Sequence, residues 1–81
     1  LVCGIEAHIC VYQSVQGLLA SGARVSLVVD ATSSRTAANR DLAISQLAAR
    51  GAALTSVEMC LFDLMGDCRH PAFRQILALV K

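Results

Sequence analysis

Three short apolar runs, residues 1–5, 25–29 and 52–54, are each followed by a stretch of helical spacing. That alternation constrains the fold more than any other feature of the chain. Each run is continuously apolar rather than alternating, the pattern of a strand buried on both faces of a sheet. After the first run, Val11, Val15, Leu18 and Leu19 recur at helical spacing over residues 10–21, and Gly22 is a natural stop. After the second run, which ends at Asp30, residues 31–36 read as a polar loop. A helix follows over residues 37–50, with Ile44, Leu47 and Ala48 on one face and Gly51 closing it. Thr55 followed by Glu58 matches a reciprocal capping box, so the third run leads into a helix over residues 56–65. After a turn at residues 66–69, His70-Pro71 opens a last helix reaching Val80, with Lys81 at its far end. The order is β-α-β-α-β-α-α. Connections this long exclude hairpins and imply right-handed crossovers. The expected architecture is α/β: a three-layer parallel sheet with helices on both faces, forming one domain over residues 1–81.

Composition narrows the function classes. Seven Lys and Arg against six Asp and Glu give a net charge of +1, which supplies no nucleic-acid footprint and no polybasic membrane patch. No apolar run approaches the roughly 20 residues needed to cross a bilayer, and the 81 residues contain no basic-then-apolar signal-peptide pattern. A chain of 81 residues buries only about 60% of its unfolded surface, so stability on its own is marginal. The sequence begins at Leu1, inside a strand and without an initiator methionine. A segment of a larger domain is expected, with any N-terminal targeting signal outside it.

Cys3, Cys10, Cys60 and Cys68 show neither a C-x-x-C pair nor zinc-like spacing. Free cysteines packed as small hydrophobes in a reducing compartment are expected. The expected location is cytoplasmic, with mitochondrial as the alternative.

Cys10 is the candidate nucleophile. The run Leu1-Val2-Cys3-Gly4-Ile5-Glu6-Ala7-His8-Ile9-Cys10-Val11 stops a strand at a glycine, turns, and delivers a thiol where a helix begins. Helix electrostatics and unpaired amides favour a thiolate at such a position. Strand-to-helix turns at the carboxyl edge of a parallel sheet are also where ligands bind. The amides of residues 6–9, with that of Cys10, are placed to converge on a carbonyl turning tetrahedral. These parts suit acyl transfer; an inert Cys10 packed under the helix is the bland alternative. His8 lies two residues from Cys10 and points to a different side, which argues against a direct dyad. It reads as a substrate contact or a turn-stabilising residue. Glu6 reads as a polar lip of the site or a satisfied turn residue.

These residues match a family. Gly4-Ile5-Glu6-Ala7-His8-Ile9-Cys10-Val11 resembles the nucleophile segment of isochorismatase-like cysteine hydrolases. Asp30-Ala31-Thr32-Ser33-Ser34-Arg35 resembles the loop after that family's fifth strand, and Leu54-Thr55-Ser56-Val57-Glu58 the segment after its sixth. His70-Pro71-Ala72-Phe73-Arg74-Gln75-Ile76 is most similar to the eukaryotic isochorismatase domain-containing branch. The resemblance runs in order through the whole chain and implies the C-terminal half of a six-stranded isochorismatase-like fold. It implies that Cys10 is the nucleophile, that the main-chain N–H groups of Glu6 and Cys10 form an oxyanion hole, and that the Ile5–Glu6 peptide is cis. The family's catalytic aspartate and lysine come from the other half and have no matching positions here. Neither Asp30 nor Lys81 fills either role.

The expected function is therefore the nucleophile-bearing part of a hydrolase. It would act on a small-molecule amide, ester or vinyl ether, with no cofactor, no metal, no nucleic acid and no membrane partner. The alternative is a truncated, inactive isochorismatase-like protein serving as an interaction module. Ser33, Ser34 and Arg35 read either as an anion-binding edge or as a loop held by hydroxyl-to-backbone bonds. Asp30 reads as an anchor of that loop or a ligand contact. Glu58 reads as the cap partner of Thr55, and His70 as the lead into the last helix. Met59, Leu61, Phe62, Leu64 and Met65 form an apolar surface that would be core or subunit interface in a complete domain, and a homo-oligomer is expected there.

Overall fold

The computed structural model describes residues 1–80; Lys81, expected at the end of the last helix, lies outside the described residues. Strand β1 (Val2–Gly4) leads through a π-helical turn (Ala7–Val11) into α1 (Tyr12–Ala20). Then come β2 (Ser26–Thr32), α2 (Ala37–Ala49), β3 (Ala53–Thr55), α3 (Val57–Met65) and α4 (Phe73–Val80). The three strands form a parallel sheet in the order β1-β2-β3. This is the α/β alternation that the apolar runs predict.

Both crossover helices end in the same motif. Past α1, the Gly22 N–H donates to Leu19 O and the Ala23 N–H to Leu18 O, each at 3.1 Å. Past α2, the Gly51 N–H reaches Ala48 O at 3.2 Å and the Ala52 N–H reaches Leu47 O at 3.1 Å. These paired bonds are Schellman caps, and they place φ at +88° for Gly22 and +104° for Gly51. The chain is thereby returned toward the sheet, where Val25 and Ala52 are buried. They join Val11, Val15, Leu27 and Leu47 in one apolar core, with Val2, Tyr12, Leu19, Val29 and Ile44 packed around it.

Several boundaries differ from expectation for identifiable reasons. Strand β2 continues through Asp30 and Ala31 to Thr32, where a polar loop was expected. Its register against β1 shifts, with Val2 opposite Leu27 but Gly4 opposite Thr32, so β2 bulges between them. Side chains supply the bonds that a bulge removes from a ladder. The Thr32 hydroxyl donates to Val28 O at 2.8 Å. Arg40 reaches back from α2 to donate to Val29 O at 2.6 Å and to Thr32 O at 2.9 Å. Backbone acceptors in a sheet interior need partners, and here arginine provides them.

The cap of α3 is Ser56, whose hydroxyl accepts the Met59 N–H at 3.1 Å. Thr55 cannot serve as the cap because it still pairs with Val28 in β3; its hydroxyl lies 3.6 Å from Cys60 Sγ instead. Glu58 is left in the first helical turn, exposed. Helix α4 starts at Phe73 rather than Pro71 because His70 closes a turn first: its Nδ1 accepts the Ala72 N–H at 3.0 Å and its carbonyl accepts the Phe73 N–H at 3.0 Å.

The first strand is shorter than expected, and Leu1 and Ile5 are 75% and 72% exposed. Leu18 and Ala48, expected on inward faces, are also exposed. All four cysteines are free. Cys3, Cys10 and Cys68 are exposed and Cys60 half-buried, so they do not serve as core hydrophobes. Of the apolar group on α3, Met59 and Leu64 are exposed, while Phe62 meets Phe73 of α4 edge-on at 5.7 Å. Among the described residues no helix is long and apolar enough to cross a membrane.

Candidate active site

The chain between β1 and α1 is shaped by what it must bury. Gly4 closes β1 at φ +132°, a conformation open to glycine and rarely to other residues. The Ile5–Glu6 peptide is cis, as the resemblance implies. Ala7 and Val11, four residues apart, turn inward at 1% and 5% exposure. Ile9 and Cys10 lie on the opposite side, exposed. Helical structure therefore begins at Ala7, earlier than the expected start at Cys10, and the thiol sits inside the first turn. That turn is wide: the Val11 N–H donates to Glu6 O at 3.2 Å, spanning five residues as in a π-helix. The two amides assigned to an oxyanion hole, those of Glu6 and Cys10, fall at the start of this turn and near its end.

The extension of β2 runs alongside this elbow. The Ser33 N–H donates to Gly4 O at 3.1 Å, and Ser33 O accepts the Ala7 N–H at 2.8 Å. Next along the loop, Ser34 Oγ and His8 Nδ1 share a hydrogen bond of 2.9 Å. The Arg35 N–H then donates to Glu6 Oε2 at 3.1 Å. The same carboxylate oxygen lies 3.6 Å from His8 Nδ1 and 3.7 Å from Arg35 Nε. The Glu6 and His8 side chains are 25% and 23% exposed, while that of Arg35 is 77% exposed. Glu6 and His8 thus face the β2–α2 loop. His8 is turned to Ser34 rather than to Cys10.

Asp30, expected to anchor its own loop, instead reaches α3, where Oδ1 accepts the Val57 N–H at 2.8 Å. A carboxylate at a helix N-terminus satisfies a free amide and opposes the helix dipole favourably. Arg40, passed over in the sequence, is the residue that holds the end of β2 in place. Its one signal was a lone cation among the alanines of a helix first turn.

Two clefts flank the elbow and the sheet. One, of about 210 Å³, is lined by His8, Tyr12, Leu42, Ala43 and Gln46 between the elbow and α2. The other, of about 160 Å³, is lined by Leu1, Ser26, Thr55, Cys60, Asp63 and Leu64. Cys10 lines neither. Among the described residues no three His, Cys, Asp or Glu side chains cluster as metal ligands.

Comparison with known proteins gives a consistent set of relatives. The profile of the isochorismatase domain family matches residues 1–59. A secreted isochorismatase effector, Isc1, of Phytophthora sojae is 44% identical over 81 residues, which is 100% of this chain and 39% of that protein. Isochorismatase domain-containing protein 2 of Bos taurus is 43% identical over 81 residues, covering 100% of this chain and 40% of its own length. Among solved structures, the MAR1 ribonuclease of Caenorhabditis elegans superposes with a TM-score of 0.87 at 42% identity, over 96% of this chain and 41% of that one. The chain thus spans about two-fifths of the length of these relatives.

Proposed function

The chain belongs to the isochorismatase family, and from that premise we propose that it carries the nucleophile of a cysteine hydrolase. Cys10 is that nucleophile. The observation that carries the reading is its exposed position in the turn that follows β1, at the carboxyl edge of a parallel sheet. The thiolate sulfur forms a bond to the electrophilic carbon of a small amide, ester or vinyl-ether-type substrate. For a carbonyl substrate, the Glu6 and Cys10 N–H groups receive the negative charge that develops on oxygen. With an amide or ester, the carbon–nitrogen or carbon–oxygen bond then breaks, the leaving group takes up a proton, and water cleaves the thioester to give the acid and regenerate the thiol.

The general base and a lysine are expected from the part of the family fold that these 81 residues do not span, and Asp30 instead accepts the Val57 N–H at the α3 N-terminus. His8 and Glu6 border the site as substrate contacts. No cofactor or metal enters the proposal, and the complete protein acts as a homo-oligomer on a small molecule. In the complete protein, Cys10→Ala should abolish hydrolysis of a small-molecule amide panel while leaving the fold intact; retained turnover would overturn the assignment.

A second reading, a non-catalytic interaction module, is favoured by one observation. Leu1 and Ile5 beside the short strand β1 are largely exposed, and an apolar edge promotes association. Size-exclusion chromatography and amide exchange on the 81 residues decide this. A monodisperse, well-protected monomer would argue against it.

A further inference from the structure

Resting on the assignment of Cys10 as nucleophile, we propose that the loop after β2 aims that thiol, with Ser34 and Glu6 as positioning residues. Three consecutive loop residues each bond one of three consecutive elbow residues. Ser33 O takes the Ala7 N–H, Ser34 Oγ meets His8 Nδ1, and the Arg35 N–H meets the Glu6 carboxylate. Thr36, the next residue, turns away and caps α2 by accepting the Asn39 N–H at 3.2 Å. The contact with the elbow therefore ends sharply at Arg35.

The geometry of the turn explains why such bracing is needed. A π-helical turn holds one residue more than an α-helical turn, and π segments are rare and short. If the segment Ala7–Val11 rewound to α geometry, Cys10 would rotate by roughly 50° relative to Ala7. The thiol would then face a different side of the turn. The buried Ala7 and Val11 fix one side of the turn. Glu6 and His8, half-buried, tie the turn to the loop, while Cys10 itself is exposed. Glu6 serves twice, as acceptor for Arg35 and as a carboxylate beside His8, so His8 is held between Ser34 and Glu6.

The test reads thiol reactivity in the complete protein. Each cysteine is alkylated with iodoacetamide and its rate followed by peptide mass spectrometry, with exposed Cys68 as an internal reference. Ser34→Ala and Glu6→Ala should each slow Cys10 about fivefold, the effect of losing about one hydrogen bond, and leave Cys68 unchanged. Ser34→Thr, which keeps the hydroxyl, should restore the rate. Thr36→Ala, in the same loop, should lower the melting temperature without slowing Cys10; this separates aiming from general loosening. A Cys10 rate unchanged by Ser34→Ala, or as low in Ser34→Thr as in Ser34→Ala, would overturn the positioning role and leave the nucleophile standing. A Cys10 no more reactive than Cys68 in the unaltered protein would overturn the nucleophile assignment itself.

Discussion

Replacing Arg40 with methionine should cost about 2 kcal/mol of stability, an effect unusually large for a residue on a helix surface. Methionine keeps the apolar stem and deletes only the guanidinium, so the loss isolates the two bonds to Val29 O and Thr32 O. Hydrogen bonds from a charged donor are worth about 1.5–3 kcal/mol each when buried. The Arg40 side chain is 32% exposed, so solvent screening brings the pair down to about 2 kcal/mol. The neighbouring ion pair is not the cause. Asp41 lies 3.2 Å from Arg40 Nη1, but its side chain is 71% exposed, and Asp41→Asn should change stability by less than about 0.5 kcal/mol. Arg40→Lys should fall between the two, because an ammonium cannot fork across two carbonyls. Urea unfolding of the complete protein measures all three variants through the shift in midpoint at constant slope. If Asp41→Asn proves as damaging as Arg40→Met, or if Arg40→Met costs under about 0.5 kcal/mol, the carbonyls of the β2 bulge do not depend on this arginine.

Alanine at Gly22 or Gly51 should each cost about 1–2 kcal/mol through backbone conformation alone, because nothing lies within 4 Å of the Cβ position at either site. The two sites lie at the ends of different helices, so the double variant should lose close to the sum in thermal unfolding. Strong non-additivity would show that the caps share a conformational unit. At the surface, the Arg69 side chain holds the Asp67 carboxyl below its ordinary range, with further help from the Arg69 backbone N–H. A depressed folded value means the turn's contribution is complete above the ordinary Asp range and lost as pH falls through the folded value. NMR titration should find Asp67 low and Arg69→Gln returning it upward; no movement would remove the guanidinium as the cause.

The architecture was legible because it follows from local signals that agree. Apolar runs, helical spacing and the glycines at 22 and 51 act within a few residues, and all point to a parallel α/β unit. What the sequence hid depends on partners far along the chain. The strand continues past Asp30 because Arg40 and Thr32 itself supply the bonds that the bulge removes, and no local pattern announces that. The cap at Ser56 instead of Thr55 follows from the pairing of Thr55 with Val28. At the site, Glu6 and His8 were marked as polar residues of a turn, yet their partners Arg35 and Ser34 stand 29 and 26 positions away. Periodicity cannot encode such separations.

The elbow and the core draw on different parts of the same chain, and this sets what each can lose. Leu27, Leu47 and Val15 are fully buried and carry the packing, whereas Cys10 is aimed by bonds between residues 6–8 and 33–35. Arg40 links the two systems: it fixes the carbonyl of Thr32, the last residue before the loop begins. The elbow should therefore loosen in stages. Loss of Ser34 disturbs the thiol alone, while loss of Arg40 disturbs the loop and the sheet together. A variant that slows Cys10 without lowering stability and another that does both should be separable in one set of measurements. Their order along the chain, from residue 34 to residue 40, would trace how the sheet's register reaches the nucleophile.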